Sequence, residues 1–240
     1  MKAIILASGM GKRLMPLTDN LPKPLVKVGD FTILERIVDS LIENDVRDII
    51  VTTGHCAEKI EDFLKQRYQG LNFTFVNNPL YSQTNYIYSL WLAQEKATEG
   101  NDIIWMHGDL LYDPSLLRAV LSQKKSAVLI KRSGILPQKD FKAKIEDGLV
   151  TQIGVNIFGP DARFCIPLYK FLSQDFNLFA QGIERFIKDN KLDCYAENVF
   201  NGIPELKLVP VYYDNELAME IDDFDDLEKA KNLLKKVDLK

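Results

Sequence analysis

A turn near the N-terminus concentrates residue types that bind phosphate. Gly9 and Gly11 follow a short apolar run, and glycine lets a ligand approach backbone N–H groups that any Cβ would block. Lys12 and Arg13 lie on the same turn, and Lys23 stands between two prolines, which stiffen the backbone and aim the amine. Three cations beside such a turn suffice to hold a triphosphate and to neutralise departing pyrophosphate.

Two common phosphate-binding motifs do not fit this turn. The dinucleotide fingerprint requires a third glycine where the chain has Leu14, which argues against a dinucleotide oxidoreductase. The P-loop requires glycine at the position of Leu6 and serine or threonine at that of Arg13. The turn therefore binds phosphates by another arrangement, or it is a solvated basic loop.

Two aspartates that follow apolar segments are candidate ligands for Mg²⁺, which prefers carboxylate oxygens. Asp109 comes after an apolar strand, at the end where α/β sheets place their ligands, and Asp222 follows a second apolar approach. The alternatives are a turn or cap role for Asp109 and a helix N-cap role for Asp222. A shift of register would instead make Glu220 or Asp223 the ligand.

The elements that must position these residues alternate over the first 130 residues. Apolar runs and helical periodicity predict strands at 3–7, 48–53, 72–76, 102–106 and 126–131, and helices at 33–43, 57–66, 85–96 and 114–123. This alternation predicts an α/β fold with a Rossmann-like, mostly parallel mixed sheet and helices on both faces.

The second half changes in style and predicts a small β insertion. A hairpin over 141–154 turns at Glu146–Gly148, and a strand in 163–172, a helix at 176–190, a strand at 206–213 and a closing helix at 223–236 follow. We predict one domain over 1–240. It would comprise a nucleotide-binding half at about 1–130, an acceptor-side part at 131–215, and a metal-binding strand end with a closing helix at 216–240.

Composition excludes several classes of protein. Hydrophobic residues make up 46% of the 240 residues, and a net charge of −4 argues against a nucleic-acid partner. The three scattered cysteines indicate reduced thiols. The first apolar run is too short for a signal peptide, and no window approaches a membrane span, so we expect a cytoplasmic protein without a membrane partner. A homodimer is compatible with the sequence.

The turn and the segment after it resemble the signature of the nucleotidyltransferase family, Gly-x-Gly-x-Arg-Leu-x-Pro-Leu-Thr followed by Pro-Lys-Pro-Leu. That family includes sugar-1-phosphate nucleotidyltransferases and phosphocholine cytidylyltransferases. The matching residues are Gly9, Gly11, Arg13, Leu14, Pro16, Leu17, Thr18, Pro22, Lys23, Pro24 and Leu25. The resemblance implies catalytic Arg13 and Lys23 on the NTP phosphates, Mg²⁺ on Asp109 and Asp222, and nucleotide contacts from Leu6, Ala7, Ser8, Gly9, Gly11 and Lys12.

The segment Tyr81–Leu92 favours the cytidylyltransferase branch. It contains no glycine where the sugar-phosphate branches usually have some, and Thr84, Asn85 and Ser89 are candidate contacts to the nucleotide. The segments 53–56 and 108–113 also look like those of cytidylyltransferases that act on 2-aminoethylphosphonate. The alternative is that the aromatic residues of this segment are simply the core face of a helix.

The acceptor is less well defined by the sequence. The region 153–156 lacks the lysine that holds a sugar phosphate in the sugar-1-phosphate enzymes, so Lys144 is a candidate for the acceptor phosphate. A choline-like cation needs aromatic walls and a carboxylate, for which the candidates are Trp105, Tyr112, Tyr195 and Glu197. Phosphocholine, phosphoethanolamine, an aminoalkylphosphonate and an amino-acid phosphate all remain open.

The function implied is transfer of CMP from CTP to a small phosphorylated acceptor, by direct attack of an acceptor oxygen on the α-phosphorus. That oxygen is already anionic near neutral pH, so positioning and charge neutralisation suffice. We assign His107 no proton-transfer role. Two alternatives are a sugar-1-phosphate nucleotidyltransferase that uses UTP, dTTP or CTP, and a non-catalytic nucleotide-binding regulatory domain.

Overall fold

The computed structural model describes residues 1–97 and 100–237. The strands are β1 (Lys2–Leu6), β2 (Lys27–Val28), β3 (Phe31–Thr32), β4 (Asp48–Thr53), β5 (Asn72–Asn77), β6 (Ile103–His107), β7 (Leu110–Tyr112), β8 (Ala127–Lys131), β9 (Lys142–Glu146), β10 (Leu149–Gly154), β11 (Ala162–Phe171), β12 (Val209–Tyr213) and β13 (Ala218–Glu220). The helices are α1 (Ile33–Glu43), α2 (Ala57–Arg67), α3 (Tyr86–Ala97), α4 (Pro114–Leu121), α5 (Ser173–Lys188), α6 (Glu197–Phe200) and α7 (Phe224–Val237).

A nine-stranded mixed sheet organises the fold. Its main path runs β10-β9-β11-β6-β1-β4-β5, and β8 joins β11 on one side and β12 on the other. The strands β5, β4, β1 and β6 are mutually parallel, whereas β11 is antiparallel to both β6 and β8. The predicted fold class, a mixed α/β sheet with a parallel core, is confirmed.

Helices cover both faces because successive strand residues point to opposite sides of the sheet. In β1, Ala3 and Ile5 pack into one hydrophobic cluster with residues of α1, α2, α4 and α7. Ile4 and Leu6 pack into the other, with residues of α3, α5 and α6. A strand buried on both faces reads as a continuous apolar run, which is why β1 was recognisable from sequence.

The predicted β insertion is the hairpin of β9 and β10, which extends the main sheet instead of forming a separate one. Its turn residues Asp147 and Gly148 both have positive φ, 50° and 77°, as tight hairpin turns require. Two further pairs, β2–β3 and β7–β13, were not predicted, because strands of two or three residues are too short to show a periodicity.

The predicted division of the chain into three parts stays a prediction. The last residues of the 216–240 part, 238–240, lie outside the described residues, as do 98 and 99. Within the described part of the chain, no helix is both long and apolar enough to cross a membrane.

The start of α1 offers a test of local stability. The Thr32 hydroxyl accepts from Glu35 N at 3.1 Å, and Glu35 Oε2 accepts from Thr32 N at 2.6 Å, a reciprocal capping box. We expect Thr32→Ala to lower the free energy of unfolding by about 1 kcal/mol. The matched control Thr32→Ser also loses the methyl group but keeps the hydroxyl, so urea denaturation should place it near the parent protein. Equal losses in both variants would contradict a capping role.

Candidate active site

The glycine turn follows β1 and folds back onto the segment that carries Lys23. Gly11 has a φ of 62°, and the Thr18 hydroxyl donates to its carbonyl oxygen at 2.8 Å. A Cβ on Gly11 would lie 3.0 Å from the Lys23 Cβ and 3.1 Å from the Thr18 Cγ2. Glycine at this position therefore permits both the backbone conformation and the close approach of Lys23 to the turn.

The short pair β7–β13 brings the two candidate metal ligands together. Leu110, the residue after Asp109, pairs with Glu220, and Ile221 N donates to the Asp109 carbonyl oxygen at 3.0 Å. Asp222 follows directly. Two segments far apart in the sequence thus place their aspartates at the same edge of the sheet.

Asp223, and not Asp222, caps helix α7. Asp223 Oδ1 accepts from the backbone nitrogens of Asp225 and Asp226, each at 3.1 Å. Because the cap is supplied by the next residue, the Asp222 side chain is free to face the cleft. Glu220, two residues earlier, turns to His107, and its carboxylate lies with His107 and Asp109 in a group that could also hold a metal ion, so the metal-binding register stays a prediction.

Two cations hold these carboxylates. Lys23 Nζ lies 2.5 Å from Asp109 Oδ2 and 2.8 Å from Asp222 Oδ1, and Arg13 Nη2 lies 2.8 Å from Asp222 Oδ2. Burial lowers the pKa of Lys23, but the two carboxylates outweigh it and hold that pKa above its usual value. Burial raises the pKa of Asp222, and Lys23 with Arg13 more than reverses this. The structure therefore brings together all four residues predicted as catalytic or metal-binding.

A cleft of about 500 Å³ opens beside this cluster. The predicted nucleotide contacts that line it are Leu6, Ala7, Ser8, Gly9, Gly11, Lys12, Thr84 and Asn85. The cleft is also lined by residues that we did not predict as nucleotide contacts, among them Tyr81, Tyr86 and His107. Tyr86 carried only the signal of a helix core, and His107 only its position two residues before Asp109.

Ser89, the remaining predicted nucleotide contact, does not line the cleft. Its side chain is completely buried, with its hydroxyl 2.7 Å from the Ser8 hydroxyl and accepting from Asn78 Nδ2 at 2.9 Å. The inner face of α3 lies beneath the glycine turn, so Ser89 supports the turn from behind. The sequence prediction of direct contact is corrected accordingly.

His107 and Glu220 form a buried pair in the wall of the cleft. His107 Nδ1 lies 2.8 Å from Glu220 Oε1, and His107 Nε2 has no hydrogen-bond partner within the part of the chain described. Burial lowers the pKa of His107, but the Glu220 hydrogen bond and charge raise it overall. Burial, together with the charges of Asp109 and Asp222, also raises the pKa of Glu220, although His107 lowers it. Both groups therefore hold a proton more tightly than they would in water.

A second cavity, of about 590 Å³, adjoins the cleft, and Asn85 lines both. Glu197 lines this second cavity and is only 2% exposed; it accepts a hydrogen bond from the Tyr169 hydroxyl at 2.8 Å and a very short one from Tyr86. The Tyr195 ring lies 5.9 Å from the Tyr86 ring and 5.1 Å from that of Phe141. The Glu197 carboxylate thus lies among aromatic rings and forms no ion pair with the residues that the structure describes.

Three residues predicted for the acceptor site lie elsewhere. Trp105 is 1% exposed and stacks on Tyr169 in the core at 4.2 Å, because β6 is covered on both faces. Tyr112 is buried on β7, where its hydroxyl faces the Met106 sulfur. Lys144 forms an ion pair with Glu146 at 2.7 Å on the half-exposed surface of the hairpin. None of the three lines either cavity, whereas Tyr195 and Glu197 do.

The sequence of the chain carries a family signature that agrees with this geometry. A sequence model of the family described as nucleotidyl transferase matches residues 2–142, more than half of the chain. The chain belongs to this family. The matched residues include the glycine turn, Lys23 and Asp109, so the family region coincides with most of the cleft.

Among relatives of this nucleotidyl transferase, the choline-phosphate cytidylyltransferase of Streptococcus pneumoniae is 43% identical over 96 residues, which covers 40% of each chain. The CTP:phosphoglutamine cytidylyltransferase of Campylobacter jejuni is 27% identical and covers 92% of this chain and 93% of its own. A solved structure of the CTP:phosphocholine cytidylyltransferase from S. pneumoniae superposes with a TM-score of 0.77, at 26% identity over 97% of this chain and 98% of that one. Matches to two other curated relatives span 21% and 44% of the length of those proteins.

The carboxylates of this nucleotidyl transferase fit a divalent cation. Asp109 Oδ1 is buried and has no hydrogen-bond partner among the residues described, although its other oxygen contacts Lys23. A buried carboxylate oxygen without a donor is costly unless a cation or a donor approaches it. Asp222 adds oxygens from the opposite segment, and oxygen ligands suit Mg²⁺. Asp109 and Asp222 would hold the ion, with the Lys23 ammonium as its competitor for the same oxygens.

Competition between Lys23 and a metal ion can be measured without turnover. We expect Lys23→Gln to tighten Mn²⁺ binding in the absence of nucleotide, because it removes the positive charge between Asp109 and Asp222. A roughly tenfold lower Kd, equivalent to about 1.4 kcal/mol, is the expected size. The measurement is the free Mn²⁺ signal in electron paramagnetic resonance.

The matched control for this experiment is Lys12→Gln. Lys12 is an exposed lysine of the same turn and lines the cleft. Lys12→Gln changes the net charge by the same amount as Lys23→Gln but frees neither Asp109 nor Asp222. The Mn²⁺ affinity of this control should therefore stay near that of the parent protein. An unchanged or weaker affinity in Lys23→Gln, with its circular dichroism intact, would contradict the competition.

Proposed function

We propose that this protein is a cytidylyltransferase that transfers CMP from CTP to a small phosphorylated acceptor and releases pyrophosphate. The observation that carries the proposal is the convergence of Arg13 and Lys23 on Asp109 and Asp222 beside the glycine turn. The relatives that act on choline phosphate and phosphoglutamine support the choice of CTP.

The proposed reaction needs no covalent enzyme intermediate. A phosphate or phosphonate oxygen of the acceptor forms a bond to the α-phosphorus of CTP, and the bond from that phosphorus to the β-phosphate oxygen breaks. The electron pair leaves with pyrophosphate. The attacking oxygen is already anionic near neutral pH, so no general base is required, and orientation with charge neutralisation lowers the barrier.

Each part of the cleft has a task in this reaction. Backbone N–H groups of the glycine turn bind the phosphates, and Arg13 neutralises the charge that develops in the transition state. Lys23 moves from the aspartates to the phosphates when the nucleotide binds. Bound at Asp109 and Asp222, Mg²⁺ would supply further neutralisation of phosphate charge. Thr84 and Asn85 hold the cytosine by hydrogen bonds to its edge.

The second cavity is the proposed place for the acceptor. Glu197 supplies a buried negative charge there, and Phe141 and Tyr195 supply aromatic faces. Such surroundings favour a cationic group over a neutral sugar. The acceptor we propose is therefore a phosphorylated amine, such as phosphocholine or an aminoalkylphosphonate, with its phosphate directed to the cleft.

Release of pyrophosphate tests the proposed activity directly. The protein with Mg²⁺ is incubated with CTP or UTP, each combined with phosphocholine, phosphoethanolamine, 2-aminoethylphosphonate, phosphoglutamine or glucose-1-phosphate. We expect turnover with CTP and one of the amine-bearing acceptors. Turnover only with glucose-1-phosphate would favour the sugar branch. Binding of CTP without release of pyrophosphate in any mixture would favour a regulatory domain.

Arg13 should act on the chemical step. We expect Arg13→Gln to lower kcat by roughly 10²–10³-fold, the usual loss when a donor to developing charge is removed. The control Arg118→Gln removes an exposed arginine from α4 and should leave kcat unchanged. A kcat of Arg13→Gln within twofold of the parent would remove Arg13 from the proposed mechanism.

Glu197 should act on acceptor affinity alone. We expect Glu197→Gln to raise the KM for the cationic acceptor roughly tenfold, or about 1.4 kcal/mol, with the KM for CTP unchanged. Glutamine keeps an oxygen that accepts from Tyr86 or Tyr169, and Glu205→Gln, at an exposed position, is the charge-matched control. A rise in the KM for CTP of the same size would indicate general disruption instead of lost recognition.

A further inference from the structure

A separate group of cations surrounds a pocket at the end of β8. The pocket has a volume of about 330 Å³ and includes the cations Lys131, Arg132 and Arg163. No aspartate or glutamate is among the residues that line it; the others are Ser133, Gly134, Ile135, Leu136, Gly159, Ala162 and Phe164. The chain as a whole has a net charge of −4, whereas the residues that line this pocket carry only positive charges.

The pocket and the candidate catalytic cleft lie at the same end of the sheet, where β1 and β8 end. Strand β8 is antiparallel to β11, and β11 is antiparallel to β6, which is parallel to β1. Strand β8 therefore points in the same direction as β1, and Lys131 ends it at the same edge as the glycine turn. In α/β sheets this edge is where ligands bind.

The cations are held in place but not neutralised by the lining residues. Arg163 Nη1 donates to the carbonyl oxygens of Pro160 and Ala162, at 2.7 and 2.8 Å, which fixes the guanidinium and leaves its other donors. Lys131 Nζ lies 5.7 Å from the Tyr213 ring centre. Neither Lys131 nor Arg163 forms an ion pair with any described residue, and Arg132 has only a surface pair with Asp214.

The rest of the pocket combines two glycines with apolar groups. Gly134 and Gly159 have φ values of 133° and 126°, a backbone region that other residues rarely adopt. Ile135 is 97% exposed beside Leu136 at the mouth. Fixed guanidinium and ammonium groups suit phosphate oxygens, whereas an isoleucine left in solvent suits the organic part of a ligand.

We propose that this pocket binds the phosphate group of an organic phosphate, at a site distinct from the catalytic cleft and independent of the function proposed above. The pocket contains no carboxylate for a metal ion, so its role is binding and not transfer. The connection that forms it, residues 132–141, also carries Lys139, whose Nζ lies 3.6 Å from Asp223 Oδ2, and Phe141 in the second cavity. A ligand here thus contacts a segment that ends at the catalytic site.

Glycine signals separate the two anion sites in one titration. The protein is labelled with ¹⁵N-glycine and titrated with pyrophosphate in the absence of metal ions. Gly134 and Gly159 report the β8 pocket, and Gly9 and Gly11 report the cleft. We expect both pairs of amide signals to shift. The variant Lys131→Gln/Arg163→Gln should lose the shifts of Gly134 and Gly159 and keep those of Gly9 and Gly11, which also shows that it is folded.

The control Lys124→Gln/Lys125→Gln removes the same charge from exposed lysines before β8 and should leave all four shifts unchanged. A second arm distinguishes a soluble phosphate from a lipid headgroup, by sedimentation with phosphatidylcholine vesicles that contain phosphatidic acid. Binding that the pocket variant loses, in either arm, supports the proposal. Shifts confined to Gly9 and Gly11, with no vesicle binding that depends on Lys131 and Arg163, would overturn it.

Discussion

The ammonium of Lys23 between two carboxylates is the interaction on which the site depends. Lys23 offsets the repulsion between Asp109 and Asp222, and the two carboxylates hold the pKa of this largely buried lysine above its usual value. The ion pairs therefore stabilise these three charged groups together. Since Lys23 is 86 residues from Asp109 and 199 residues from Asp222 in the sequence, one contact ties together three distant segments.

The fold supplies the rigidity that this interaction needs. Asp109 leaves the end of a strand that is buried on both faces, and Asp222 is placed by the pairing of β13 with β7 and by the cap that Asp223 provides. Lys23 is directed by flanking prolines and by its packing on Gly11. A mobile lysine could satisfy the same charges only at a greater cost in conformational entropy. The geometry is therefore built into the backbone and is not left to side-chain adjustment.

How much of the fold and site could be predicted depends on how far apart in the sequence the interacting residues lie. Periodicity or turn chemistry within a few residues was enough to predict the parallel strands, α1 and the β9–β10 hairpin. The glycine turn was predicted from a local pattern in the same way. The pairing of β7 with β13 joins segments more than 100 residues apart through strands of three residues, which no local pattern reveals. Trp105 and Tyr195 show the same limit: both are aromatic, but the first lies within a strand covered on both faces and the second is 37% exposed beside a cavity. Residue type alone does not separate a core ring from a binding ring.

The same contact explains why nucleotide and metal should bind together in the proposed reaction. Among the residues described, Lys23 forms ion pairs with Asp109 and Asp222 alone. A metal ion that binds without nucleotide must therefore displace the ammonium and leave a buried charge unpaired, which is costly. A triphosphate offers Lys23 and Arg13 new anionic partners, so their transfer to the phosphates releases the carboxylate oxygens at the same moment. Asp109 Oδ1 accepts no hydrogen bond from the described part of the chain, and the oxygens that the cations have left then become available beside it. On this argument the cluster couples the two ligands by exchange of partners and requires no movement of the sheet.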